Sequence, residues 1–146
     1  MNIRVAFALE EVSDTAKKIG TSLRKFNESQ IGPFAFKPFT IYLTNDQNDI
    51  IAGIKGEIFE KVCMVQMAWV QELERKKGLG RKLFMKLEEV ARTYHCEFIQ
   101  LDTAEFQAKP FYEKLGFVVV ATLPKNFKGY TTYIMRKFLN SHREHG

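Results

Sequence analysis

The chain has 146 residues, of which 45% are hydrophobic and 27% are charged. This composition is typical of a globular protein and not of a disordered or fibrous one. The length predicts one domain over residues 1–146. No apolar run exceeds five residues, far short of the roughly 20 that cross a bilayer, and the first residues carry no cleavage site. We therefore predict a cytoplasmic protein without a membrane partner. The net charge of +5 favours an anionic ligand.

The first half of the chain predicts a helix followed by an antiparallel meander. Ser13 or Asp14 can cap a helix, and the apolar spacing that follows predicts a helix to about Phe26. Glycine and proline among the aromatic residues of 27–38 predict a loop. The predicted strands are Asn2–Leu9, Phe39–Thr44, Ile50–Phe59 and Val62–Val70.

The second half contains the most regular helical pattern. Leu79, Leu83 and Leu87 recur at helical spacing within Gly78–Tyr94, and the connection from the preceding strand through this helix to the next has the form of a βαβ unit. The remaining predicted elements are a strand over Phe98–Asp102, a short helix over Lys109–Leu115, strands over Val118–Leu123 and Tyr130–Phe138, and a frayed tail over Asn140–Gly146.

Cysteine and histidine usage predicts neither a disulfide framework nor a metal site. Cys63 and Cys96 are the two cysteines, and each lies in an apolar stretch, which is typical of buried thiols. The histidines His95, His142 and His145 form no ligand cluster with them, so no metal cofactor is expected.

The segment 70–81 joins a strand to the long helix and concentrates glycines and basic residues. The first N–H groups of a helix have no internal partner and lie at the positive end of its dipole, and Gly78 and Gly80 leave room for an anion. The segment therefore fits a phosphate site. A glycine-containing helix start with a solvated basic face fits the same residues, and this alternative stays open. The P-loop string is absent, and Leu83 stands where the dinucleotide fingerprint has its third glycine.

Two motifs in this region resemble those of one protein family. The segment 70–81, with R-x-x-G-x-G at 75–80, resembles the acyl-CoA pyrophosphate loop of the GNAT superfamily of N-acyltransferases. Residues 110–117 (PFYEKLGF), after the next predicted strand, are similar to the tyrosine helix of that family. The resemblance runs from about residue 39 to 138 and is sharpest over 68–117.

The resemblance implies an α/β fold in which a mixed, mostly antiparallel sheet is splayed at its centre and flanked by helices. Acyl-CoA would lie in the gap between the strands 62–70 and 98–102, and acetyl-CoA is the implied co-substrate. The implied reaction is transfer of an acetyl group to a primary amine by direct attack in a ternary complex. The acceptor would be a small-molecule or peptide amine, and a homodimer is an open alternative to a monomer.

The resemblance also implies a role for individual residues. Backbone groups near Trp69 and Val70 would hold the pantetheine arm and polarise the thioester carbonyl. Tyr112 would protonate the departing CoA thiolate, whereas without the motif it would be interpreted as a core aromatic residue. Backbone amides would bind the pyrophosphate, contributed by Arg75, Lys76, Lys77, Gly78, Leu79, Gly80 and Arg81.

A neutral amine nucleophile requires a proton acceptor, because an alkylammonium with a pKa of ~10 is almost wholly protonated at neutral pH. The candidates are Glu57, Glu72, Asp102 and Glu105, and Asp102 is the first choice because it ends the predicted strand beside the cleft. An aspartate at a strand end can instead cap the following turn. Glu105 stands where many members of the family carry an asparagine that contacts the CoA arm, and Gln107 is a candidate substitute.

Two other functions compete with acetyl transfer. The basic composition and 13 Phe, 5 Tyr and 1 Trp would suit a nucleic-acid-binding module, although the basic residues cluster at one helix start and do not alternate with aromatic residues along a groove. We therefore expect no nucleic-acid partner. A domain of the same fold that binds acyl-CoA without turnover is the other alternative.

Overall fold

The computed structural model of the protein describes residues 4–5 and 13–139. The chain divides into two compact units, Met1–Phe34 and Ala35–Gly146. The predicted strand over 2–9 lies outside the described residues except at Arg4 and Val5, which belong to neither a helix nor a strand. The predicted tail at 140–146 also lies outside them.

The first unit contains helix α1, Ser13–Ile31. The helix was predicted to end at about Phe26, which is wrong because it continues to Ile31. The predicted loop over 27–38 is therefore wrong at residues 27–31, which are helical. An Arg24–Glu28 ion pair at 3.2 Å, one turn apart, supports this extension. The helix stops at Gly32, whose φ of 88° is left-handed and whose N–H donates to the Glu28 carbonyl at 2.8 Å.

In the described part of the chain, the second unit holds one sheet of six strands in the order β1-β2-β3-β4-β6-β5. All neighbours are antiparallel except β3 and β4, which are parallel, as the family resemblance implies. The elements are β1 Phe36–Thr44, β2 Ile50–Phe59, β3 Val62–Val70, a 3-10 turn at Glu72–Glu74, α2 Leu79–Thr93, β4 Phe98–Ala104, α3 Lys109–Lys114, β5 Val118–Phe127 and β6 Tyr130–Phe138.

Three predicted strand limits are wrong. β1 begins at Phe36 and includes Pro38, and β5 continues to Phe127 and includes Pro124. Both are edge strands of the sheet, where a proline removes no ladder hydrogen bond from a neighbour, so the prolines do not end them. β4 continues past Asp102 to Ala104, because β6 pairs with it as far as Ala104.

The sheet opens between its two parallel strands. Pairing of β3 with β4 ends at Met64, opposite Gln100, whereas β3 stays paired with β2 to Val70. A register shift places the extra residue Gln66 in β3 near Gly56 of β2, and such a bulge bends the strand that carries it. A Cβ at Gly56 would lie 2.1 Å from the Met64 carbonyl oxygen, so this close approach requires glycine.

Helix α2 packs one apolar face on the sheet and closes the core. Leu83, Phe84, Leu87 and Ala91 are buried on that face, and they belong to one cluster with buried residues of the central strands. The thiols of Cys63 and Cys96 are free and buried, which confirms the prediction for both cysteines. No helix among residues 4–5 and 13–139 is long and apolar enough to span a membrane.

The buried Cys63 thiol predicts a pH dependence of stability. Burial, and next the neighbouring Cys96, raises the pKa of Cys63 from 9.0 to about 12. The unfolded chain therefore ionises this thiol first, so its contribution to stability is complete below pH 9 and is lost between pH 9 and about 12. The free energy of unfolding should fall there by up to ~1.4 kcal/mol per pH unit more in the wild type than in Cys63→Ala. Urea denaturation at several pH values measures this, and parallel curves would contradict the buried neutral thiol.

Candidate active site

The opening between β3 and β4 forms a cleft of ≈ 1050 Å³ in the second unit. One wall is the part of β3 beyond its pairing with β4, and the other is formed by the end of β4, the loop after it and α3. The start of α2 closes one end. The cleft thus joins the two segments that the sequence motifs had singled out.

The β3 wall presents to the cleft backbone groups that are not bonded to β2. The Gln71 N–H donates to the Ile51 carbonyl at 2.8 Å, and along an antiparallel strand the residues bonded to the neighbour alternate with residues turned away from it. Trp69 therefore directs its backbone groups toward β2. Those of Ala68 and Val70 face the cleft, so the register favours Ala68 over Trp69 as the partner of Val70 in binding an extended ligand.

Trp69 contributes its side chain instead, which lines the cleft and is half exposed. The sequence alone did not show whether Trp69 offers its backbone or its side chain to the cleft. That choice depends on the bulge at Gln66, after which the residues of β3 that bond to β2 change from one alternating set to the other. The pairing register, and not the residue types, decides which backbone amides are available.

The loop between β3 and α2 is held by its own side chains. The Arg75 Nε donates to the Val70 carbonyl at 3.0 Å, which ties the loop back to the end of β3. Lys76 and Gly78 adopt left-handed conformations with φ of 65° and 81°. The first helical bond runs from the Lys82 N–H to the Gly78 carbonyl at 3.1 Å, so the N–H groups before it in α2 have no intrahelical acceptor.

The two glycines of the loop serve different purposes. A Cβ at Gly78 would meet no atom within 4 Å, so its left-handed φ, and not crowding, favours glycine there. A Cβ at Gly80 would lie 3.0 Å from Cζ of Phe111 in α3. The missing side chain of Gly80 thus also lets the start of α2 approach the tyrosine helix, and its part in anion binding stays a prediction.

Positive charge concentrates at this end of the cleft. Arg75, Lys76 and Arg81 line it, next to the start of α2, where the helix dipole adds to their field. Lys77 lines no part of it and pairs with Glu74 at 3.1 Å. Three cationic side chains and free backbone N–H groups at one place are suited to an anion, and we call this end of the cleft the anion site.

Tyr112 lies on the other side of the cleft, on α3. The helix ends in a Schellman motif, with the Phe117 N–H donating to the Tyr112 carbonyl at 3.0 Å and Gly116 at φ 100°. The Tyr112 ring packs edge-on against Phe84 at 5.4 Å and Phe117 at 5.7 Å. Burial raises the pKa of Tyr112, so the phenol keeps its proton at neutral pH.

Of the four predicted proton acceptors, Asp102 alone lines the cleft. It does not end its strand as predicted, because β4 continues to Ala104 and Asp102 pairs with Ile134 of β6. It is exposed there, and the residue belongs to the cleft lining. Glu57 and Glu72 lie outside the cleft lining.

Glu105 is held elsewhere. Its carboxylate accepts a hydrogen bond from the Thr131 N–H at 2.8 Å, and its own N–H donates to the Thr131 carbonyl at 2.9 Å. Gln107 lines the cleft, but its Oε1 accepts from the Ala104 N–H at 2.6 Å. Its Nε2 donors are therefore the part of this side chain that can reach a ligand.

Sequence reasoning also missed Phe106 and Lys114, which both line the cleft. Lys114 is two residues beyond Tyr112 inside the matched motif, and that proximity was the available signal. The part of the chain that the structure describes contains no group of three or more side chains that could hold a metal ion.

Comparison with known proteins assigns this arrangement to a family. The model of the acetyltransferase (GNAT) family matches residues 9–117. The blasticidin-S acetyltransferase of Streptomyces morookaense is 26% identical over 132 residues, which are 90% of this chain and 96% of that protein.

Two solved structures share the fold. The crystal structure of a protein from Agrobacterium tumefaciens assigned as an acetyltransferase has a TM-score of 0.86 and 26% identity, over 94% of this chain and 99% of that one. That of a Bacillus anthracis protein assigned as a streptothricin acetyltransferase, in complex with acetyl coenzyme A, has a TM-score of 0.63 and 20% identity, over 70% and 62%. With the family model matched across both motifs of the cleft, the chain belongs to the GNAT family of acetyltransferases.

Proposed function

We propose that this acetyltransferase moves an acetyl group from acetyl-CoA to a primary amine by direct attack in a ternary complex. The observation that carries the proposal is the cleft between β3 and β4, which is lined by Arg75, Lys76 and Arg81 at one end and by Tyr112 and the exposed Asp102 elsewhere. The acetyl-CoA complex of the Bacillus anthracis structure supports the choice of co-substrate.

The residues at the start of α2 fit the diphosphate of CoA. Arg75, Lys76 and Arg81 supply charge, and the N–H groups of the first helical turn supply donors that need an acceptor. The backbone of Ala68 and Val70 would bind the pantetheine arm as an added strand would be bound. The diphosphate would thus meet cationic side chains and N–H donors, and the pantetheine arm would meet the backbone edge of β3.

Acetyl-CoA supplies an acetyl thioester. The amine nitrogen bonds to the acetyl carbon, negative charge passes to the carbonyl oxygen, and the C–S bond then breaks. A backbone N–H of the β3 wall, at Ala68 or Val70, would stabilise that charge. Tyr112 would give its phenolic proton to the CoA thiolate as the bond breaks. The second proton that the attacking nitrogen loses as the amide forms would pass through water to the Tyr112 phenolate and restore the phenol.

The attacking amine must lose a proton to react. The cleft lining includes two carboxylates, those of Glu74 and Asp102. Glu74 lies at the anion site and pairs with Lys77 at 3.1 Å, so Asp102 is the candidate proton acceptor. It would take the ammonium proton, directly or through one water, before or during the attack. No covalent enzyme intermediate is needed, and positioning of the two substrates supplies much of the rate.

Charge reversal at the anion site tests co-substrate binding. Arg81→Glu should weaken CoA binding at least about tenfold, because it replaces attraction by repulsion at the diphosphate. Lys82→Glu changes the chain's charge equally one residue further on, outside the cleft lining, and should change the affinity less than about threefold. Calorimetric titration with CoA measures both. Equal effects of the two variants would show a general charge effect and no site at α2.

Removal of the phenolic proton tests the leaving-group step. Tyr112→Phe should lower kcat about a hundredfold while CoA affinity stays within about twofold, because the ring packing is kept and the acid is lost. Tyr94→Phe, at the C-cap of α2 and outside the cleft lining, is the matched control. A thiol-release assay measures the rate with any amine that supports turnover. An unchanged kcat in Tyr112→Phe would remove the tyrosine from the mechanism.

The base assignment predicts a change in the pH profile. Asp102→Asn should lower kcat/KM at least about tenfold at pH 7, and the deficit should shrink as the pH approaches ~10, where the amine loses its proton without help. Glu57→Gln alters a carboxylate of β2 outside the cleft lining and should follow the wild-type profile. Profiles of the same shape for Asp102→Asn and wild type would exclude Asp102 as the base.

A further inference from the structure

Three aromatic side chains form an exposed surface at the cleft. The Phe106 ring lies 4.9 Å from that of Tyr130, in a T-shaped contact, and 6.3 Å from that of Phe127. Each remains about half exposed, at 53%, 46% and 54%. Phe106 also lines the cleft, four positions after Asp102 in the chain. We call Phe106, Phe127 and Tyr130 the aromatic platform.

Two of these rings lie on a hairpin with a tight turn. Phe127 and Tyr130 pair directly across β5 and β6, joined by Lys128 and Gly129 with φ of 49° and 85°. Positive φ at both central residues defines the type I′ turn, which matches the twist of the flanking strands. The turn thus sets the backbone positions of these two residues, next to an irregular pairing of β5 with β6 between Leu123 and Phe127.

The loop that carries Phe106 is fixed to the same hairpin. Glu105 makes two hydrogen bonds to the backbone of Thr131, the residue after Tyr130, at 2.8 and 2.9 Å. One carboxylate oxygen and one amide of Glu105 are used for this tie, so the loop cannot slide along β6 without losing both bonds. The residue that departs from the asparagine of the family pattern therefore holds the platform together.

An aromatic surface whose rings contact one another and stay half exposed beside a cleft is suited to a ligand. Exposed apolar clusters are kept at a cost in solubility and commonly mark binding sites. Rings already held in place lose little conformational freedom when a ligand stacks on them. The flanking Lys125 and Lys128 are exposed and disfavour a second positive charge on that ligand.

We propose that the aromatic platform receives a flat ring of the acceptor while the acceptor's amine reaches Asp102, so that the substrate class is ring-bearing primary monoamines. This inference rests on the proposed acetyl transfer, because it concerns the acceptor half of the same cleft. Phe106 is the specificity residue that lies in both the platform and the cleft lining. Polyamines are poor substrates on this assignment.

The test compares the amines 2-phenylethylamine, n-butylamine and spermidine in the wild type and two variants. Phe106→Ala removes the platform's cleft ring. Phe138→Ala is the matched control, since Phe138 is 52% exposed, packs on Phe98 at 5.9 Å and lies outside the cleft lining. Thiol release gives kcat/KM, and ligand-observed NMR gives binding of each amine to the protein, both with and without CoA.

We expect the wild type and Phe138→Ala to prefer 2-phenylethylamine over n-butylamine about tenfold, with spermidine the poorest, and Phe106→Ala to lose most of that preference. CoA affinity should be the same in all three proteins. An unchanged preference in Phe106→Ala would overturn the proposal. A second result would also overturn it: sedimentation shows a dimer in the wild type that is lost in Phe106→Ala, while the amine preference is unchanged. A second copy of the chain, and not the acceptor, would then cover the platform.

The two levels of the proposal fail differently. If CoA does not bind, or binds and no amine is acetylated, the proposed function is wrong, and the NMR comparison of 2-phenylethylamine with n-butylamine still decides whether the platform selects a ring. If n-butylamine is acetylated as well as 2-phenylethylamine and both bind equally, acetyl transfer stands and the platform assignment is overturned.

Discussion

The divergence of β3 from β4 is the constraint on which the rest of the site depends. The two strands pair only as far as Met64 and Gln100, while β3 remains bonded to β2 throughout. A bulge at Gln66 supplies the bend, and Gly56 makes it sterically feasible, since any Cβ there would collide with the Met64 carbonyl. Without this opening, β3 would bond to β4 and leave no backbone edge for a ligand.

The same opening sets the charge distribution of the cleft. β3 and β4 are parallel, so their carboxyl ends and the segments that follow them meet at one side of the sheet, as in other sheets with parallel strands. One following segment brings the basic start of α2, and the other brings Phe106 and the tyrosine helix. In the proposed reaction, co-substrate binding and proton transfer would thereby come from two neighbouring connections, which Gly80 and Phe111 bring close together.

The sequence predicted the regular elements well where periodicity or turn residues were strong. The limits of β2, β3 and β6 are confirmed, and those of α2 agree within one residue at each end. It failed where a neighbour decides the outcome. Prolines do not end β1 or β5, because both strands are at the sheet edges. The bulge at Gln66 has no local signature, so the choice between Ala68 and Trp69 as the backbone partner could not be made beforehand.

Glu105 stands where the family pattern has an asparagine, and its hydrogen bonds explain the difference. A carboxylate has no hydrogen to donate, so it cannot replace the donor of an asparagine side chain. It accepts instead from a backbone N–H of β6, and Gln107 keeps free amide donors toward the cleft. In the proposed complex, the segment 103–108 would thus contact the co-substrate through Gln107 and the acceptor through Phe106. A change that loosens the Glu105 tie should therefore affect both substrates together, whereas a change of the Phe106 ring alone affects the acceptor.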